Sequence, residues 1–313
     1  MPDRLCLAPC LPTSILVVGS VAYDSIATPK HSVERVLGGS ASYAAVAASY
    51  FAPVRLVGVA GRDFLLSDRA RFERRGIDLS GFVIDSTAET FFWRGRYFNN
   101  FKNRETLDTQ LNAFERFAPD LPSEYSSSEY VFLGNISPHL QHQVIDQLHG
   151  APFIVADTMN FWIRSDERRE LDRLLERIDC LIINDEEAAE WTQETNMILA
   201  GRILQQKGAS IIVIKKAEHG CMLFYDQKIF FVPPYPVMHV EDPTGAGDTF
   251  AGAFIGTLAA LGEVNFSSLK EALRYATAAA SLVIEGFSCD RLERGGSGQI
   301  MSRAAILKEM MLL

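Results

Sequence analysis

The run Glu241-Asp242-Pro243-Thr244-Gly245-Ala246-Gly247-Asp248-Thr249-Phe250 holds the residues best suited to chemistry in this 313-residue chain. Pro243 fits neither a helix interior nor a central strand, so the segment before Gly245 is a turn. Gly245, Ala246 and Gly247 carry almost no side chain, so a ligand can come within hydrogen-bonding distance of the backbone. Phe250, Ala251, Ala253, Phe254, Leu258 and Leu261 follow helical spacing, which predicts a buried helix of about three to four turns. Its first turn leaves amides unpaired at the positive end of the helix dipole, and that combination binds phosphate. Asp248 stands beside this anion site. A carboxylate there repels phosphate unless its task is to take a proton from the group that attacks the phosphate, as a general base in phosphoryl transfer. The plainer alternative is an acidic residue electrostatically welcome in a helix's first turn.

Such residues need elements to hold them, and the chain alternates strand and helix. Residues 14–20 form a continuous apolar run, expected of a strand buried on both faces of a parallel sheet. Asp24 follows at its C-terminal end, where open α/β sheets place ligands. Gly38-Gly39-Ser40 leads into an alanine-rich helix over 41–51. Further strands are predicted at 54–59, 130–133, 153–156 (ending in Asp157), 180–183 (ending in Asn184) and 210–214, with a hairpin over 221–225 and 228–232. Helices are predicted at 64–75, 138–148, 167–177, from Asp185, and at 196–207, 267–284 and 300–311. This order predicts an α/β fold with a mostly parallel central sheet covered by helices on both faces. The aromatic stretch 90–98 and the polar stretch 99–109 break the alternation. They read as a small β-sheet lid, with segments of about 21–38 and 88–117 inserted into a core spanning 14–288. Residues 1–13 read as a flexible extension, and 289–313 as a C-terminal helical segment.

Composition narrows the function. Apolar residues make up 48% and charged residues 22%, as in a soluble globular protein. The net charge of −9 argues against nucleic-acid binding and against attraction to anionic lipid, but not against a phosphate held by a local nest of amides. No apolar run is long enough to span a bilayer. Five scattered cysteines without a C-x-x-C pair suggest reduced thiols and a cytoplasmic setting. His139 and His142 lack further ligands for zinc. There is no Gly-Lys-Ser/Thr, and Phe250 stands where a G-x-G-x-x-G motif needs its third glycine, so a Walker A loop and a dinucleotide fingerprint are both missing.

The run Asp-Pro-Thr-Gly-Ala-Gly-Asp-Thr-Phe-Ala-Gly from Asp242 resembles the C-terminal signature of the ribokinase-like, or PfkB, carbohydrate kinases, and the resemblance extends over about 14–288. It implies transfer of the γ-phosphate of ATP to a hydroxyl of a small sugar or nucleoside, with Gly245, Ala246 and Gly247 as the anion hole and Asp248 as the catalytic base. Asn184-Asp185-Glu186-Glu187 resembles the family's Asn-x-x-Glu. That implies that Asn184 and Glu187 hold Mg²⁺ and the nucleotide phosphates, partly through water. Gly38-Gly39 resembles the N-terminal Gly-Gly motif, with Tyr43 where relatives often carry Asn. Substrate hydroxyls are then expected at Asp24, Gly38, Gly39, Ser40 and Tyr43. Residues 214–220 resemble the nucleotide loop, implying roles for Lys215 and Gly220, and Thr277 falls near the adenine site. Asp242 and Thr244 resemble the monovalent-cation site of some relatives, which would take K⁺.

The acceptor is left between a small sugar, bound through a primary hydroxyl, and a nucleoside. Phe91, Phe92, Trp93, Tyr97, Phe98 and Phe101 suit either stacking on a base or the seam of a flap or homodimer contact. A non-catalytic sensor on the same scaffold would not need Asp248, and an oxidoreductase lacks its phosphate loop.

Overall fold

The computed structural model describes residues 3–7, 13–98, 101 and 103–312. In chain order its strands are β1 (Ile15–Val18), β2 (Ala22–Ala27), β3 (Ser32–Gly38), β4 (Val54–Gly61), β5 (Ile77–Asp85), β6 (Phe91–Tyr97), β7 (Arg104–Gln110), β8 (Tyr130–Leu133), β9 (Phe153–Asp157), β10 (Cys180–Asn184), β11 (Ile211–Lys215), β12 (Cys221–Tyr225) and β13 (Lys228–Val232). Nine of them form one sheet in the order β13-β12-β11-β10-β9-β8-β1-β4-β5, and the other four form a second sheet, β3-β2-β6-β7. In the large sheet every pairing from β5 across to β11 is parallel, and β12 and β13 add an antiparallel edge hairpin. β1 and β8 are buried along their whole length, which is why they are apolar at every position rather than alternately.

The strand order reverses at β1, with β4 and β5 to one side and β8 onward to the other. The crevice beyond the strand ends at such a reversal is where open α/β sheets bind ligands. Gly19 after β1, Gly134 after β8, Asp157 ending β9, Asn184 ending β10 and Lys215 ending β11 all lie along that edge.

Helices cover both faces, as expected. Val17, Phe132 and Ile182 join the core with helices Ser40–Ala48, Ala246–Leu261 and Phe266–Val283 on one face. Leu16, Leu133 and Leu181 join it with Pro138–Asp146, Asp185–Thr192 and Met197–Gln206 on the other. Small residues allow the Ser40–Ala48 and Ala246–Leu261 helices to pack closely. A Cβ on Gly252 would overlap the Ala44 backbone, and one on Gly256 would come 3.1 Å from the Ala48 Cα. That near approach fixes the start of the Ala246–Leu261 helix against the Gly39 turn.

The second sheet is the lid. Its β2–β3 and β6–β7 pairs run antiparallel and are joined by a parallel β2–β6 pairing. Side-chain contacts hold it to the core, among them Tyr23 to Asp68 at 2.9 Å and Arg35 to Asp63. His31 Nδ1 lies 2.6 Å from Glu241 Oε1, the Thr244 hydroxyl donates to Tyr97 Oη at 3.1 Å, and the Ser288 hydroxyl donates to the Leu37 carbonyl at 2.6 Å.

Several elements differ from the sequence reading. β5 is an edge strand that the sequence pattern does not mark, because exposure at Asp78, Val83 and Ile84 loses the alternation of a half-buried one. Within the lid segment at 21–38, β2 is buried despite Asp24 and Ser25, and it pairs with β6. The last helix starts at Asp290 and is kinked at Gly296. The extension expected to be flexible is docked over residues 3–7. The Leu5 amide donates to the Tyr50 carbonyl at 2.7 Å, and Asp3 accepts from the Ser297 amide at 2.8 Å. Residues 1–2 and 8–12 of that extension, Cys10 among them, lie outside the described residues. Among the described residues Cys6, Cys180, Cys221 and Cys289 form no disulfide, and no helix is long and apolar enough to cross a membrane.

Candidate active site

Gly245 caps the Ala246–Leu261 helix in the left-handed region (φ 75°), and a Cβ there would overlap the ring of Tyr43. Only glycine meets both demands. The Ala246 amide donates to the Pro243 carbonyl at 3.2 Å and the Thr249 amide to the Gly245 carbonyl at 2.8 Å. Among the described residues no acceptor takes the Gly247 amide. A Cβ on Gly247 would lie 2.9 Å from Lys215 Nζ, so a free amide, a helix dipole and an ammonium converge at one point. Gly245→Ala is expected to cost about 1–3 kcal/mol of stability through backbone strain and overlap with Tyr43. It should also lower kcat by at least about tenfold by tilting the amides. Denaturant melts and steady-state rates check both effects.

Asp248, in the first turn of the same helix, faces a cluster of charge. Lys215 Nζ contacts Asp157 at 3.1 and 3.4 Å. Asn184 and Glu187 form a capping box. Asn184 Oδ1 accepts from the Glu187 amide at 2.7 Å, and Glu187 Oε2 accepts from the Asn184 amide at 3.1 Å. Burial, and then the Asp157 charge, push Asp248 up to about 7, with Lys215 pulling it back. Glu187 is raised to about 7 by the same two causes. Burial alone would lower the Lys215 ammonium, but Asp157, Glu187 and Asp248 together hold it above its ordinary value. From the sequence alone Asp157 is only a strand end. Its signal was that it closes a strand of the same sheet edge as Asn184.

Asp24, 5% exposed, sits across the cleft on the lid sheet. A Cβ on Gly38 would overlap its carboxylate, and one on Gly39 (φ 91°) would lie 2.5 Å from the Ser20 carbonyl. Burial first, then the charges of Asp242 and Asp248, push Asp24 up to about 8, while Arg104 on β7 pulls it down. Arg104 acts on Asp248 in the same sense. This cation lies in a polar, exposed stretch and belongs to no motif. Ser40 is engaged locally: its amide donates to Ser20 Oγ at 3.0 Å, and its Oγ accepts from the Ser20 amide at 3.2 Å. Tyr43 lies buried beneath Gly245, its hydroxyl without a hydrogen-bond partner.

Asp242 Oδ1 accepts from the Thr244 amide at 2.9 Å, whereas its Oδ2 is buried with no partner. Burial raises this carboxyl to about 6. Gly220 turns the chain between β11 and β12, its carbonyl accepting from the Lys216 amide at 2.8 Å. Thr277 donates within its own helix to the Leu273 carbonyl at 2.8 Å and lies against Cys221, which pairs in register with Lys215. These two residues therefore flank the cleft one strand beyond the charge cluster.

Asp157, Glu187 and Asp248 face one ammonium, an excess of negative charge that a divalent cation offsets. Among the described residues no three acidic, histidine or cysteine side chains are placed to cage a metal. Magnesium, which keeps several waters and accepts one or two carboxylates, fits such a sparse set.

Known proteins share this arrangement of elements. Residues 12–293 match the sequence model described as pfkB family carbohydrate kinase. A cytidine kinase of Thermococcus kodakarensis is 27% identical over 246 residues, covering 77% of this chain and 87% of that enzyme. A nucleoside kinase of Burkholderia thailandensis solved with inosine is 19% identical with a TM-score of 0.78, covering 93% of this chain and 96% of that one. An E. coli protein solved with ATP and Mg²⁺ is 18% identical with a TM-score of 0.78, covering 95% and 99%.

Proposed function

Because the chain belongs to the pfkB family of carbohydrate kinases, we propose that it transfers the γ-phosphate of ATP to a primary hydroxyl of a small sugar or nucleoside bound between Asp24 and Asp248. It is a sugar or nucleoside kinase, a phosphotransferase with an alcohol acceptor. The observation that carries the mechanism is the pairing of a free amide and Lys215 at Gly247 with a carboxylate, Asp248, on the same helical turn.

Asp24 accepts hydrogen bonds from the acceptor's hydroxyls, and the Gly38–Gly39 backbone closes around them. Asp248 takes the proton from the attacking hydroxyl. The Gly245 and Gly247 amides and Lys215 hold the charge that builds on the transferring phosphoryl group. Asn184 and Glu187, with Asp157 behind them, would hold Mg²⁺ through water, and the ion would supply neutralisation of the phosphate charge. Gly220 and Thr277 border the nucleotide side. The lid, tied down by Tyr97 and His31, excludes water and so limits ATP hydrolysis. The unpartnered Asp242 Oδ2, beside Thr244, suits a monovalent cation such as K⁺. Free Cys180, Cys221 and Cys289 are in keeping with a cytoplasmic setting. Exposed Leu107 on β7 is in keeping with a homodimer through the lid.

ADP release from Mg-ATP across pentoses, hexoses, ketoses and nucleosides tests the reading, with and without K⁺. Release that depends on an acceptor is expected. ATP binding with no acceptor-dependent release across the panel would turn the reading towards a sensor.

A further inference from the structure

We propose that Trp93, with the Arg104 guanidinium over its ring, selects the acceptor by taking the flat heterocyclic base of a nucleoside whose sugar hydroxyls lie at Asp24. This deepens the kinase reading above and rests on it. Asp24 and Trp93 are direct neighbours across the β2–β6 pairing, so strand alternation puts Trp93, Gly95 and Tyr97 on the face that carries Asp24. Tyr97 meets Thr244 there, so this face looks onto the phosphate turn.

Phe91, Phe92, Tyr97 and Phe101 already have partners, and Phe98 is 46% exposed. Phe91 stacks on Phe114 with centroids 5.5 Å apart, Tyr97 lies against Phe101, and Phe92 is buried on the opposite face between Arg35 and Arg94. Trp93 is placed differently. Its ring lies across Gly95, where a Cβ would overlap the indole, and its Nε1 donates to Thr106 Oγ1 at 3.3 Å. The Arg104 guanidinium sits 5.2 Å from the ring centroid, and its charge acts on both Asp24 and Asp248. The strand thus reserves a side-chain-free position for a half-buried indole capped by a planar cation beside the hydroxyl-binding carboxylate.

Indole and guanidinium planes both stack on bases, and a free pentose offers no flat face to them. Arg104 alone could attract an anionic sugar, but Asp24, Asp242 and Asp248 crowd the same side and repel one.

The test measures kcat/KM for ADP release by the full chain with adenosine, inosine, cytidine, uridine and guanosine against ribose, fructose and gluconate. Trp93→Leu and Gly95→Ala are the variants; the second displaces the ring without deleting it. Wild type should favour at least one nucleoside over every free sugar. Both variants should lower nucleoside kcat/KM by roughly tenfold to hundredfold, mainly through KM. Their ribose values should stay within about threefold of wild type. A wild type that favours a free sugar or gluconate overturns the proposal and leaves the kinase reading intact. Equal losses on nucleosides and ribose overturn it too, since they mark a packing role. Silence with every acceptor overturns the kinase reading, and this proposal with it.

Discussion

Asp248→Ala is expected to lower kcat by about 10²- to 10⁴-fold, the range over which a positioned base contributes. ATP affinity should stay the same or tighten, because the change removes a negative charge from beside the phosphate turn. The charge cluster also predicts how the wild-type rate follows pH. Burial and Asp157 raise Asp248 to about 7, and the base works only when ionised. kcat/KM should therefore rise with pH through about 7, instead of levelling off near 5 as an ordinary carboxylate would allow. Lys215 pulls Asp248 down, so Lys215→Met should move this acid limb to higher pH as well as weakening phosphate binding. An Asp248→Ala enzyme with wild-type turnover, or an acid limb unmoved by Lys215→Met, would remove Asp248 from the role of base.

What could be read from the sequence was mostly local. Gly245, Gly247 and Asp248 announce themselves because a proline, small residues and a helical repeat constrain the backbone within a few positions. Asn184 and Glu187 stand in capping-box spacing, another local relation. Asp157 could not be weighed in that way. Its contact with Lys215 depends on β9, β10 and β11 lying side by side, a pairing across 58 positions of chain. Arg104 was harder still, since a bulge between Arg94 and Gly95 sets which β7 residues share a face with Trp93. β5 escaped notice for a physical reason as well, because it is an edge strand with exposed Val83 and Ile84 and carries no clean period of two. The resemblance to the PfkB family carried the fold and the reaction, but the contacts that tune charge in the cleft came from register.

Asp24→Asn should separate function from stability. Once ionised, above about pH 8 in the empty cleft, Asp24 accepts charge-assisted hydrogen bonds worth about 1.5–3 kcal/mol each. Replacing it by an amide should lower kcat/KM at that pH by about 10²- to 10⁴-fold if two are lost. The same substitution should stabilise the free protein at alkaline pH. Asp24 is raised to about 8 in the fold, above its ordinary value near 4, so the folded protein holds a proton that the unfolded chain releases. Its contribution to stability is complete below the unfolded value and is lost as pH rises to about 8. An amide never ionises and loses nothing over that window. The two proteins should thus melt alike near pH 4, and the variant should be the more stable at pH 8 by on the order of 2–5 kcal/mol. Denaturant melts at the two pH values decide it. A variant no more stable than wild type at pH 8 would mean that Asp24 meets a compensating cation in solution, with Arg104 the nearest candidate on the lid. Cations and substrate hydroxyls relieve the same repulsion among Asp24, Asp242 and Asp248, so acceptor binding should stabilise the wild type more at pH 8 than at pH 5. In the Asn variant that pH dependence should largely disappear. The acidic residue that makes the empty cleft costly is the one that gives a hydroxyl-bearing ligand its strongest reason to enter.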